Sequence, residues 1–307
     1  MNSRYLLFLV TIVCASNLKI SFGQECNYIT DYYQLVYEAQ VDFLEENFEE
    51  AYRKLKEAES NCKLINQEGI DEFIKLAVLS EKFGKTEEAF DYLDRLLRMG
   101  FPFEKLSSRS YSESLKKYQE WNLLKDKSIE YQRLFNKKIN YELRDEIINL
   151  YKRYNELMEA RYPSSIAAVY DDYIEQGIKK ILRTKGYPLP NLIGHENAGD
   201  YDLGLLLTRA KDTGYLKQVL LGYVKRGKAP PSSIALMIDA KRSQYDADSK
   251  QFLKGKSIYG IAHNDDSTDI WDFKNVDKRR VSIGLSSWKL RTRLKDLYRK
   301  LYPSFYE

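Results

Sequence analysis

The stretch Glu46–Ser60, "ENFEEAYRKLKEAES", decides the fold. Phe48, Ala51, Tyr52, Leu55 and Ala58 recur at three- and four-residue steps, the spacing of one face of an α-helix. Glu49 and Glu50 fall in its first turn, where the positive end of the helix dipole favours acidic side chains. Upstream, Ile29, Tyr32, Tyr33, Val36, Ala39, Gln40 and Phe43 mark a second stripe of the same period. Only "EEN" (45–47) separates the two stretches, so their helices must run antiparallel.

The plan recurs downstream in "LSEKFGKTEEAFDYLDRLLRMGF" (79–101), where Glu87-Glu88-Ala89 repeats Glu49-Glu50-Ala51 and Phe90, Leu93, Leu96 and Leu97 continue the stripe. The small Ala39 and Ala77 on the first helices, Phe48, the two Glu-Glu-Ala starts and Gly84 at the second inter-helix turn resemble the tetratricopeptide repeat family over about residues 27–125. Two departures stand out: the first unit has Glu46 or Asn47 where a glycine is usual, and no terminal proline closes either unit. The resemblance implies helix pairs that cannot bury their apolar faces alone and must stack. A third, degenerate unit is expected after "MGFPFEKL" (99–106).

The N-terminus, "MNSRYLLFLVTIVCASNLKISFGQEC", has the build of a secretory leader: Arg4, an apolar run from Tyr5 to Ala15 too short to span a bilayer, and small Ser21 and Gly23 before a cut near Gln24. Residues 1–23 are therefore expected to be a signal peptide, and the protein to be periplasmic or secreted. Cleavage removes Cys14 and leaves Cys26 and Cys62, an even count that favours a disulfide in an exported chain. Cys26 precedes the first helix of the hairpin and Cys62 ends the second, so an antiparallel hairpin brings them together. Cleavage also removes two of the 49 basic residues against 45 acidic ones, lowering the net charge from +4 to +2. That balance gives no support to nucleic acid as a partner. No later stretch is apolar enough for stable membrane insertion.

Residues 126–163, "DKSIEYQRLFNKKINYELRDEIINLYKRYNELMEARYP", keep helical spacing throughout and predict a long connecting helix over 126–160, ended by Pro163. Residues 161–307 then predict a helical C-terminal domain: a helix capped by Ser164 or Ser165 and stopped at Gly186, three further helical segments, and a last helix within "VSIGLSSWKLRTRLKDLYRKLYP" (281–303). A short extended stretch is expected near "GKSIYGIAHN" (255–264). "KGYPLPNLIG" (185–194), "ALMIDAKRSQ" (235–244), "SIYGIAHN" (257–264) and "VDKRRVSIGLSS" (276–287) resemble an uncharacterised bacterial domain family often found in exported proteins, over about residues 140–305. The resemblance implies an all-helical domain and no mechanism. The chain departs from the family at Thr208-Arg209-Ala210, Asp239-Ala240 and Tyr259-Gly260-Ile261-Ala262, where relatives carry Gln-His-Ala, Asp-Arg and Tyr-Gly-Thr-Gln.

Little here points to chemistry. Zinc would need His195, His263 and a carboxylate to converge, which the spacing does not demand; both histidines are expected in solvated loops. No metal and no cofactor are expected. Asp239, Tyr259, His263, Asp277, Arg279 and Arg280 form the candidate polar cluster. Its arginines offer planar forks suited to an anion, but more often such forks tie a loop internally, with Asp239 as a candidate partner. The 25 tyrosines suit either half-buried core or a concave binding surface. The expectation is an exported all-α protein: a tetratricopeptide-like stack over 24–125, the connecting helix, and the helical domain over 161–307. It would bind a protein or peptide partner. The alternative is an envelope hydrolase with its site in the C-terminal domain.

Overall fold

The computed structural model describes residues 26–302 except 68, 161, 196–202, 242–244, 247–250, 253–254 and 262–266. Residues 1–23, where a leader is expected, and His263 lie outside the described residues. The fold is all-α. Among the described residues, extended pairing is confined to the two-residue strands Tyr245–Asp246 and Gln251–Phe252 and an isolated bridge between Ser257 and Ile270.

The first hairpin is a one-turn helix α1 (Tyr28–Asp31), α2 (Tyr33–Leu44) and α3 (Phe48–Asn61). The stripe read from the sequence is its buried face: Val36 and Ala39 on α2 meet Ala51, Leu55 and Ala58 on α3, all fully buried. The alanines leave only methyl groups between the helices, so the backbones approach closely. On the solvent side Arg53 bridges Glu50 and Glu57 one turn away on either side. The second hairpin repeats this with α4 (Glu72–Lys82) and α5 (Thr86–Arg98), and α3 stacks on α4. The two units therefore share one interior. In the third, the first helix shrinks to α6 (Phe103–Ser107) and a 3-10 turn, and α7 (Gln119–Asn136) packs on α5.

Cys26 and Cys62 meet at disulfide distance, with Cα atoms 5.5 Å apart. Asn61 Nδ2 donates to the Asp31 carbonyl at 3.1 Å beside them, closing the open end of the hairpin.

The region 126–160 does not run as one helix. α7 ends at Asn136, and α8 (Tyr141–Ala160) restarts after Lys137–Asn140. The Asn140 side chain accepts from the Leu143 N–H at 3.0 Å, and its own N–H donates to the Leu192 carbonyl at 2.9 Å. Asparagine thus caps the new helix while its backbone is drawn off the helical path. α9 (Ser164–Thr184) begins after Pro163, which takes the cap position expected for a serine. There follow α10 (Pro190–Ile193), α11 (Leu203–Leu207), α12 (Thr213–Lys225), α13 (Pro231–Ala240), α14 (Val276–Ser282) and α15 (Trp288–Leu301).

The last expected helix is thereby split into α14 and α15. Gly284, at φ +88°, breaks it with the Tyr33 ring 2.7 Å from where a Cβ would stand. The chain returns on itself here. α15 packs on α2, α12 packs on α1, and one continuous apolar cluster runs from Tyr28 to Leu285. No helix among the described residues is long and apolar enough to cross a membrane.

Candidate functional site

Where the first hairpin meets α12–α15, the chain leaves a cleft of about 1660 Å³. It has three walls, and the segment 187–195 completes the lining. The first wall is aromatic. Tyr28, Tyr33 and Tyr37 lie in sequence order along α1 and α2. Tyr33 is fully buried and edge-on to Tyr32, with its hydroxyl directed at the Val224 and Ala229 carbonyls, each at 3.4 Å. Tyr37 stacks on Tyr33 at 6.4 Å. The Tyr28 hydroxyl donates to the Lys63 carbonyl at 2.8 Å. Its ring fills the space a Cβ at residue 227 would need, 2.7 Å away, and Gly227 holds φ +65° there. Burial raises the pKa of Tyr28, Tyr33 and Tyr37 alike, so these hydroxyls stay neutral donors.

The second wall is the start of α4 and the segment after α6. Asp71, in a left-handed conformation at φ 55°, pairs with Arg109, Nε to Oδ2 3.1 Å. Lys75 is buried one turn on; it donates to the Ile70 carbonyl and lies 5.6 Å from the Phe43 ring centroid. Burial pushes its ammonium down from the usual lysine range. Glu72, fully buried, accepts from the Gln67 N–H at 2.6 Å and from the Tyr32 hydroxyl at 3.0 Å. Desolvation outweighs these donors and raises it from 4.5 to about 7. A carboxyl whose folded value lies above its unfolded one lends stability that is full below about pH 4.5 and is lost as the pH rises through 7. Glu72→Gln cannot ionise. Its stability is expected to gain on wild type by about 3 kcal/mol between acid and mildly alkaline pH, read from urea midpoints across that range. Parallel pH curves for the two proteins would show that Glu72 does not titrate there.

The third wall is α15 facing α2. Gln40, only 3% exposed, donates Nε2 to the Tyr298 hydroxyl and, at 3.4 Å, to the Gly69 carbonyl, while its Oε1 has no partner among the described residues. Tyr298 stacks on Tyr302 at 6.2 Å, and Arg291 on the same helix donates to the Gly260 carbonyl.

The cluster singled out in the sequence stands behind this wall. Asp239, fully buried at the end of α13, gathers the loop 257–261. Its carboxylate accepts from the Ile258 N–H at 2.8 Å, the Tyr259 N–H at 3.1 Å, the Ile261 N–H at 3.0 Å and the Ser257 hydroxyl at 2.5 Å. Arg280, 2% exposed, donates to the Tyr259 carbonyl and, at 2.7 Å, to the Ser286 carbonyl. Burial, then the neighbouring Arg291, lowers it to about 10. Arg279 spends its fork on the Ile258, Asp272 and Trp271 carbonyls, and Asp277 accepts from the Trp288 N–H. Asp239, Tyr259, Asp277, Arg279 and Arg280 do converge, but through backbone groups. Ser286, held by Arg280, lines the cleft; Asp239, Tyr259 and Arg280 do not.

His195 is not a solvated loop residue. Its ring lies 5.9 Å from Phe101 and 5.6 Å from Phe135, with Nε2 facing the Met99 carbonyl at 3.3 Å, and burial lowers its pKa. The Asp31 carboxylate lies within 4.8 Å of both cysteine sulfurs, but sulfurs joined in a disulfide offer no thiolate to a metal.

Sequence reasoning missed Asp71, Lys75, Arg109, Arg226 and Lys228. One signal was visible: Gln40 is a polar residue on an otherwise apolar stripe, and Lys75 stands inside "EFIKLAVL" (72–79), where a solvated lysine would break the apolar run. No family model matches this chain, and neither a curated protein nor a solved structure matches it.

Proposed function

We propose that this chain is an exported interaction module that holds a segment of a protein or peptide in the cleft between its first hairpin and α12–α15. In this reading the helix pairs of the N-terminal half are tetratricopeptide-like repeats, and the C-terminal helices close over one of their faces. The observation that carries it is the cleft itself: about 1660 Å³, with tyrosines on two of its walls. That volume is larger than a typical small-molecule pocket and suits several residues of an extended chain. Tyrosine supplies contact area at low entropic cost together with a hydroxyl for hydrogen bonding. Export is supported by the leader-like N-terminus and by the meeting of Cys26 and Cys62.

A hydrolase acting through a carboxylate or a histidine would have to present that group to its substrate. Asp71 is the one carboxylate among the described lining residues, and it is paired with Arg109; His195 is wedged between two phenylalanines. Asp239 is occupied by backbone amides. These features favour binding over catalysis.

Selection from a random peptide library tests the reading. Peptides are expected to be recovered, and Ser232→Trp, which sets an indole on the cleft lining at the start of α13, should abolish their binding while leaving the thermal midpoint in place. Failure to recover any peptide, or recovered peptides indifferent to Ser232→Trp, would sink it.

A further inference from the structure

The charge of the cleft says what kind of peptide. Over the whole chain 49 basic residues nearly balance 45 acidic ones. Among the described lining residues the balance is lost: Lys75, Lys105, Arg109 and Arg291 come from the second and third walls and Lys63, Arg226 and Lys228 from around Tyr28, against Asp71 alone.

These cations are not equally engaged. Arg109 is paired with Asp71, Lys75 and Arg291 donate to backbone carbonyls, and Lys105 donates to the His195 carbonyl at 3.1 Å. Lys63, Arg226 and Lys228 are exposed and have no carboxylate partner among the described residues. Their backbones meet at Tyr28, whose hydroxyl holds the Lys63 carbonyl and whose ring lies against Gly227, between residues 226 and 228; the Arg226 guanidinium lies 5.3 Å from the Tyr223 ring centroid. Three like charges on one cleft lining repel each other, and a concave, partly apolar wall focuses their field into the cleft. Binding an anion relieves that repulsion.

The uncharged groups narrow the chemistry further. Gln40 Oε1 is buried on the lining with no partner among the described residues, and turning the amide over merely leaves its nitrogen short instead. The Tyr37 hydroxyl on the same wall has no hydrogen-bond partner among the described residues. A peptide bond supplies both an N–H and a carbonyl and can satisfy Gln40 in either orientation. A phosphate or sulfate supplies no N–H.

We infer that the cleft selects an acidic peptide segment, with carboxylates set among Lys63, Arg226 and Lys228 and a peptide bond hydrogen-bonded to Gln40. This rests on the peptide-binding reading above and adds the ligand's charge.

The same library selection tests it by composition, with the triple variant Lys63→Gln/Arg226→Gln/Lys228→Gln set beside a control that removes equal charge elsewhere, Lys125→Gln/Lys127→Gln/Lys137→Gln. All six side chains are exposed, so both variants should fold, which thermal melts verify. Peptides recovered by the wild-type protein should be enriched in Asp and Glu. Their affinity should fall by about tenfold or more in the cleft variant, weaken with added salt, and change little in the control. Peptides recovered without acidic enrichment, or weakened equally by both variants, overturn the charge assignment and leave the peptide reading standing. No recovered peptide overturns both. So does binding of a labelled oligogalacturonate or an oligo-dT in the absence of any recovered peptide, which would give the cleft to a different polyanion.

Discussion

Asp239→Ala is expected to remove about 5 kcal/mol of stability, the cost of breaking a buried, hydrogen-bonded charge network from one side. The Asp239 carboxylate accepts three backbone N–H groups and one hydroxyl from residues 257–261. Removing it strands those donors in a fully buried site, and each buried unsatisfied donor costs about 1–3 kcal/mol. It also removes the negative charge that favours the ionised form of Arg280 nearby. The loop so released carries the Tyr259 carbonyl that Arg280 holds and the Gly260 carbonyl that Arg291 holds. Asp239→Asn keeps one acceptor oxygen but turns an NH2 toward donors, so it should fall between wild type and alanine. Urea unfolding of the three proteins gives the order. If Asp239→Ala melts with the wild-type protein, the carboxylate is not what organises this loop. Lost peptide binding in a fully stable Asp239→Asn protein would instead point to a direct contact with ligand, against the buried geometry.

The double variant Cys26→Ala/Cys62→Ala is expected to lose about 4 kcal/mol, the chain-entropy cost of opening a loop whose ends are 36 positions apart. Reducing the wild-type protein should lower its midpoint by the same amount, and reductant should leave the variant unmoved. Mass spectrometry of the non-reduced protein provides the covalent check: two free thiols in every molecule would remove the basis of the prediction. The link also braces the site. Cys62 adjoins Lys63, whose carbonyl anchors Tyr28. Reduction is therefore expected to weaken ligand binding at temperatures where the fold persists. Unchanged affinity after reduction would mean that Tyr28 is held in place by Gly227 and the core alone.

Much of the architecture could be read from local pattern. Ala39, Ala51, Leu55 and Ala58 announce their helices and the faces those helices bury, because a helix places residues three and four apart on one side whatever the rest of the chain does. The three-residue turn 45–47 forces a hairpin, and the hairpin brings Cys26 to Cys62. Breaks set by distant or single contacts were less legible. The connecting helix is interrupted at 137–140 because Asn140 meets Leu192, and the last helix is split at Gly284 because Tyr33 lies against it. Periodicity carries no information about either contact.

The candidate cluster was found by residue type, yet its role depended on who faces whom. Asp239 and Arg280 look the same in a sequence whether they meet a ligand or the backbone of 257–261. The cleft was beyond reach for the same reason. Tyr33 touches Val224 and Ala229 nearly two hundred positions away, and Gln34 donates to the Leu285 carbonyl across a separation of 251. Sequence by itself determined the helices of the first two hairpins, their apolar faces, the hairpin order and the nearness of Cys26 to Cys62, since each follows from spacing along a short stretch of chain. Tertiary structure alone decided which tyrosines turn inward, which lysines and arginines share a cavity and which carboxylate is spent on loop amides. Those outcomes depend on the end of the chain packing against its beginning, and pairwise contacts at such separations leave no periodic trace in the residues that make them.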